Sequence, residues 1–149
     1  MISSLALGLA MFVVTLCVQM VPTAILIHVA TSKHMRGLAR RTLGMNFALV
    51  QVAASLMLLT HLVNMALWAA LFCLCGEFGD FAESYYHSAV NYSCLGYGEI
   101  GMSTRWGLLG PLEAIDGIVM FGMSTALIVA LVTRLIQRQL KANDAKGDA

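Results

Sequence analysis

Three stretches of this chain, roughly 3–30, 45–75 and 107–133, each stay apolar for longer than the about 20 residues a helix needs to cross a hydrocarbon layer about 30 Å thick. No other property restricts the fold as much. In lipid every backbone N–H and C=O must find a partner inside the protein, so spanning structure is limited to helices and closed barrels, and runs this long are helices. Composition agrees: 59% of the 149 residues are hydrophobic and 11% charged, with a mean hydropathy of +0.79. The reading is an all-α integral membrane protein with no room for a separate soluble domain.

The net charge of +1 hides an asymmetry along the chain. Residues 1–30 carry no Asp, Glu, Lys or Arg and, among strongly polar or helix-breaking types, are interrupted only by Gln19 and Pro22. They lack the basic start and small-residue cleavage site of a signal peptide, and read as a retained span bent at Pro22. Lys33, Arg36, Arg40 and Arg41 then mark 31–44 as a cytoplasmic loop, which places the amino terminus outside. The second span carries Gln51, His61 and Asn64, with Trp68 towards its far end, where an indole suits the headgroup level. An acidic patch follows at Glu77, Asp80 and Glu83. Asp80 and Glu83 have the spacing of a capping box, so a helix is expected over 81–92, too short to cross. The last helix is expected over 105–135, capped by Thr104, with Pro111 in its first turns. It exits at Arg134 and Arg138 into a short cytoplasmic tail, 136–149. Eight of the nine basic residues then share one side.

Between the short helix and the last one lies Ser93-Cys94-Leu95-Gly96-Tyr97-Gly98-Glu99. Gly96 and Gly98 can take positive φ, which lets successive carbonyl oxygens point the same way and form a row of cation ligands. A half-helix followed by irregular backbone is tolerated at membrane depth only where it lines a water-filled path or is buried in protein. Residues 81–100 therefore read as a pore loop.

The segment Cys94-Leu95-Gly96-Tyr97-Gly98-Glu99 resembles the selectivity filter of potassium channels, whose usual pattern is Thr-Val-Gly-Tyr-Gly-Asp. The resemblance extends over about 45–135, in the order outer helix 45–75, pore helix 81–92, filter 94–98 and inner helix 105–135. Residues 1–30 lie outside it as an additional span, and without an arginine ladder they are no voltage sensor. The resemblance implies a potassium-channel-like homotetrameric pore, K⁺ as the permeant ion, no cofactor, no metal beyond K⁺ and no enzymatic activity. It implies surroundings of lipid, with no nucleic acid or soluble partner. By the same likeness, Cys94, Leu95, Gly96, Tyr97 and Gly98 form the filter, and Glu99 and the acidic patch concentrate cations at the outer mouth. Gly117 and Gly122 match the paired glycines of the inner helix, the first at its gating hinge. Ile118, Phe121 and Thr125 match cavity-lining positions, and helical periodicity by itself sets those three on one face. The chain departs from the pattern at Cys94 for threonine, Leu95 for valine and Glu99 for aspartate. It also has Val90 where many channels carry a glutamate behind the filter, and Tyr86 and His87 in place of a tryptophan pair, which leaves Tyr85, Tyr86 and His87 as candidate partners for Tyr97. These departures keep a weakly selective cation channel, or a non-conducting accessory protein of the same fold, as alternatives.

Glu113 and Asp116 are expected to be structural. Asp116 lies about 200° round the helix from Ile118 and should face away from the axis, towards His61 and Asn64. Gln19 is expected to meet Gln51 or another polar neighbour, with the first span packed on the outer helix or a neighbouring subunit. Cys17, Cys73, Cys75 and Cys94 show no metal-ligand spacing, and Cys73-x-Cys75 is too tight for an ordinary disulfide. No nucleotide loop, hydrolytic triad or nucleic-acid patch is present.

Overall fold

The computed structural model describes residues 2–31, 43–96 and 101–147. The basic residues of 33–41, the expected filter residues Tyr97 and Gly98 and the expected outer-mouth residue Glu99 lie outside the described residues. Among the described residues there are four helices: α1 (Ile2–Thr31), α2 (Leu43–Leu74), α3 (Phe81–Tyr92) and α4 (Leu109–Gly147). Three are long and apolar enough to cross a membrane, over Ile2–Val29, Gly44–Leu74 and Leu109–Leu140. The short α3 is wedged between α2 and α4, and α1 lies against both α4 and α2.

The spans are inside-out relative to a water-soluble bundle. Val13, Val21 and Ile25 of α1 and Val52, Leu58, Leu59 and Val63 of α2 are exposed, while Ser4, Thr15, Gln19, His61, Asn64, Ser88, Glu113, Asp116 and Ser124 are buried. Against hydrocarbon, an apolar side chain gains nothing by being buried, whereas a polar one must find a partner inside. The buried polar residues follow helical spacing: Ser4, Thr15 and Gln19 on α1, His61, Asn64 and Trp68 on α2, and Glu113, Asp116 and Ser124 on α4. An aromatic cluster of Trp68, Phe72, Phe78 and Tyr92, closed by Leu109 and Met120, fills the remaining core. Trp68 is fully buried there, its indole N–H taken by an acid of α4.

The last helix differs from expectation at both ends. Residues 104–108 form turns, with Gly107 N–H bonded to Ser103 O at 2.8 Å and Leu109 N–H to Trp106 O at 2.8 Å. A helix begun at Arg105 would need an N–H at position 111 for the Gly107 carbonyl, and Pro111 has none, so regular helix starts later and Thr104 is not its cap. At the other end no proline or glycine intervenes before Gly147, so the helix runs on past 135 through 136–147 of the expected tail.

Candidate functional site

The site is built around the place where α3 stops. Its N-cap is Asp80, extended at φ −137° and ψ 148°, but the expected side-chain cap bond is not made; the Asp80 carbonyl instead accepts from Ser84 N–H at 3.1 Å. The helix then descends along α2. Ser88 Oγ donates to Met65 O at 2.8 Å, and the Tyr92 hydroxyl reaches His61 Nδ1 at 3.2 Å. His61 lies 13 residues from the Leu74 end of α2, about 20 Å along the axis, so α3 enters the membrane and ends inside it. Its carbonyl end, with about half a negative charge, points into the interior, where it favours a cation.

The chain leaves α3 through a Schellman turn. Cys94 N–H bonds to Asn91 O at 2.9 Å and Leu95 N–H to Val90 O at 3.0 Å, with Cys94 in the left-handed region at φ 57°. Glycine usually holds that position. Gly96 is again left-handed at φ 73°, while Leu95 between them is not. Alternation of handedness is the condition under which successive carbonyls can turn to one side instead of alternating as in a strand. Cys94, Leu95 and Gly96 are exposed in the single chain, and the Cys94 thiol lies 3.7 Å from Ala114 O of α4.

Gly117 is the point where α4 meets this turn. A Cβ there would collide with the Tyr92 carbonyl oxygen and lie 2.9 Å from the Tyr92 carbonyl carbon. Glycine is required for close approach at this position, while a Cβ at Gly122 would meet nothing within 4 Å. Both sit within continuous helix. Ile118, Phe121 and Thr125 are exposed on α4, and Ile118 and Thr125 lie nearly opposite its buried acids. Phe121 stands at the edge of that face, its ring 4.4 Å from the His61 ring and 5.6 Å from that of Tyr92.

Two buried networks hold these pieces. Asp116 Oδ2 accepts from Thr15 Oγ1 at 2.8 Å and from Trp68 Nε1 at 2.7 Å, tying α1, α4 and α2 together. The expected contact of Asp116 with His61 and Asn64 is not formed. The wedge of α3 brings the Tyr92 hydroxyl to those two side chains, with Asn64 Nδ2 donating to it at 3.2 Å. The second network runs from Gln19 Nε2 to Ser124 Oγ at 3.0 Å, and from there to His61 Nε2 at 3.0 Å. Gln19 therefore meets Ser124 and the Met57 sulfur, while Gln51 is exposed. Glu113 is bonded by Ser88 Oγ. Both acids lie on the face of α4 away from Ile118.

Near the Leu74 end of α2, Glu77 is held in place by Ser103. Its carboxylate accepts from Ser103 N–H at 2.6 Å and Ser103 Oγ at 2.5 Å, linking the loop before α3 to the segment ahead of α4. Asp80 and Glu83 are exposed. His87 packs between Phe78, ring centroids 4.7 Å apart, and Phe72, and Tyr85 reaches Leu62 O at 3.4 Å; any contact of these residues with Tyr97 lies outside the described residues. All four cysteines are free, Cys73 lying 3.0 Å from Ser84 Oγ. Among the described residues no cluster of His, Cys, Asp or Glu could hold a metal ion.

Sequence reasoning missed Tyr92, Thr15, Ser88 and Ser124. A signal was present: Ser4, Thr15 and Gln19 share one face of an otherwise apolar span, and Ser84, Ser88 and Tyr92 recur every four residues, which marks buried stripes.

A non-crossing helix packed between two spans and ending in a left-handed turn is the arrangement expected of a pore loop. A family model described as ion channel matches residues 56–134, just over half of the chain, and the chain belongs to this two-transmembrane, potassium-channel-like ion channel family. The match begins within α2, and α1 lies outside it. No curated protein and no solved structure matches the chain.

Proposed function

We propose that the chain is one subunit of a homotetrameric, potassium-selective channel that conducts K⁺ passively. The observation that carries this reading is the change of handedness at Cys94, Leu95 and Gly96 directly after a helix that ends within the membrane. Carbonyls aligned there can replace the water of a dehydrating cation. A single loop cannot close a ring, so copies of the chain must meet around an axis, four of them by the resemblance of the filter to that of potassium channels. In that ring the carbonyls of Cys94, Leu95, Gly96 and Tyr97 would ligate K⁺, with Gly98 closing the filter. Ile118 and Thr125 would face the cavity with Phe121 at its edge, and Glu99 would stand at the outer mouth. The amino terminus would be outside and the carboxyl terminus cytoplasmic, with lipid covering the apolar faces of α1 and α2.

One observation favours a second reading, a weakly selective cation channel. Cys94 presents a thiol where a hydroxyl would complete an oxygen site, and K⁺ as a hard cation binds sulfur weakly. Purified protein in planar bilayers, with K⁺ on one side and Na⁺ on the other, separates the readings. A reversal potential near the K⁺ equilibrium value supports selectivity, one near zero supports the second reading, and absence of current in well-incorporated protein overturns both in favour of an accessory role.

A further inference from the structure

We propose that the additional first span is part of the support of the filter, and that Gln19, Ser124 and His61 are positioning residues acting through Tyr92; the inference rests on the pore reading above. Gln19 Nε2 of α1 donates to Ser124 Oγ of α4 at 3.0 Å, Ser124 Oγ lies 3.0 Å from His61 Nε2 of α2, and His61 Nδ1 lies 3.2 Å from the Tyr92 hydroxyl. Gln19 and Tyr92 are fully buried, and His61 and Ser124 nearly so. A neutral imidazole donates at one nitrogen and accepts at the other, so one tautomer serves both hydroxyls and the chain of bonds closes without a charge.

Tyr92 is the last residue of α3, two positions before Cys94. Its main chain is pinned from the other side, since its carbonyl abuts Gly117 of α4. Side chain and carbonyl together leave the first turn of the filter little freedom. Cys94 holds a left-handed conformation there without being glycine, a state that persists only where the surroundings enforce it. The chain from α1 contributes that enforcement.

The network around Asp116 supplies an internal control. Thr15 also ties α1 to α4 and α2, through Asp116 and Trp68, but those bonds do not touch α3. If α1 served only to hold helices together, loss of either tie would act alike. If Gln19 and Ser124 support the filter, only their loss should loosen the turn at Cys94 and Leu95, whose N–H groups bond Asn91 and Val90 carbonyls.

The test is amide hydrogen exchange of Cys94 and Leu95, resolved by fragmentation mass spectrometry, on the full chain in phosphatidylcholine–phosphatidylglycerol vesicles. Ser124→Ala, which breaks two links while removing one oxygen, should speed exchange at these amides about 3- to 10-fold, the effect of losing one buried hydrogen bond. Gln19→Met should act in the same direction, Ser124→Thr should restore slow exchange by keeping the hydroxyl, and Thr15→Val should leave both amides unchanged. Equal exchange in Ser124→Ala and the unaltered protein, or equal acceleration in Thr15→Val, overturns the inference. Ion flux through the same vesicles is read in parallel. Absent flux in the unaltered protein sinks the pore reading alone, since exchange still reports whether α1 supports the turn.

Discussion

Replacing Gly117 by alanine sets two effects of known size against each other. Inside a helix, alanine is favoured over glycine by about 1 kcal/mol. At Gly117, however, the new Cβ would collide with the Tyr92 carbonyl oxygen and lie 2.9 Å from its carbon and 3.2 Å from its Cα. All three are backbone atoms and cannot swing aside as a side-chain end can, so either α4 must retreat or the end of α3 must move. Overpacking of this kind costs about 1–3 kcal/mol, and contact with backbone places it at the upper end. The net expectation is a loss of about 2 kcal/mol. Gly122 is the matched control: a Cβ there meets nothing within 4 Å, so Gly122→Ala should gain up to about 1 kcal/mol. Denaturant unfolding in detergent micelles, followed by tryptophan fluorescence, compares the two. The refuting result is stabilisation by both substitutions. It would mean that Gly117 serves backbone flexibility and that the contact with Tyr92 does not constrain α4.

Trp68→Phe removes the indole N–H that Asp116 accepts at 2.7 Å in a fully buried setting, so stability in the same unfolding assay should fall by about 1–3 kcal/mol; a change below about 0.5 kcal/mol would show that Asp116 is satisfied without it. His87, on the helix that does not cross, is held below its ordinary value of 6.5 by burial, against the opposing pull of Glu77. Its imidazole takes up a proton less readily in the folded protein than in the unfolded chain, so stability is unaffected by it above about pH 6.5 and falls as pH drops below that value. Thermal unfolding at about pH 7.5 and 5.5 should show a smaller acid loss for His87→Phe than for the unaltered protein; equal losses would exclude His87 as the source.

The spans, the short helix and the loop that follows it were legible in the sequence because each rests on a local property. Length and hydropathy make α1, α2 and α4 membrane helices, since lipid offers no partner to an open backbone. Phe81–Tyr92 is too short to cross, and Gly96 permits the left-handed turn that a filter needs. Pro111 also carried a local message, that regular helix cannot begin at Arg105. Partner choice was not legible. Asp116 could have met His61 or Asn64 by depth alone, and Gln19 could have met Gln51. Only the wedging of α3 between α2 and α4 gave His61 and Asn64 to Tyr92 and left Asp116 to Thr15 and Trp68. The left-handed turn at Cys94 was hidden for the same reason. Periodicity tells which face of a helix is buried, but not which helix lies against it, and in a membrane a buried polar group bonds to whichever partner the packing brings within about 3 Å.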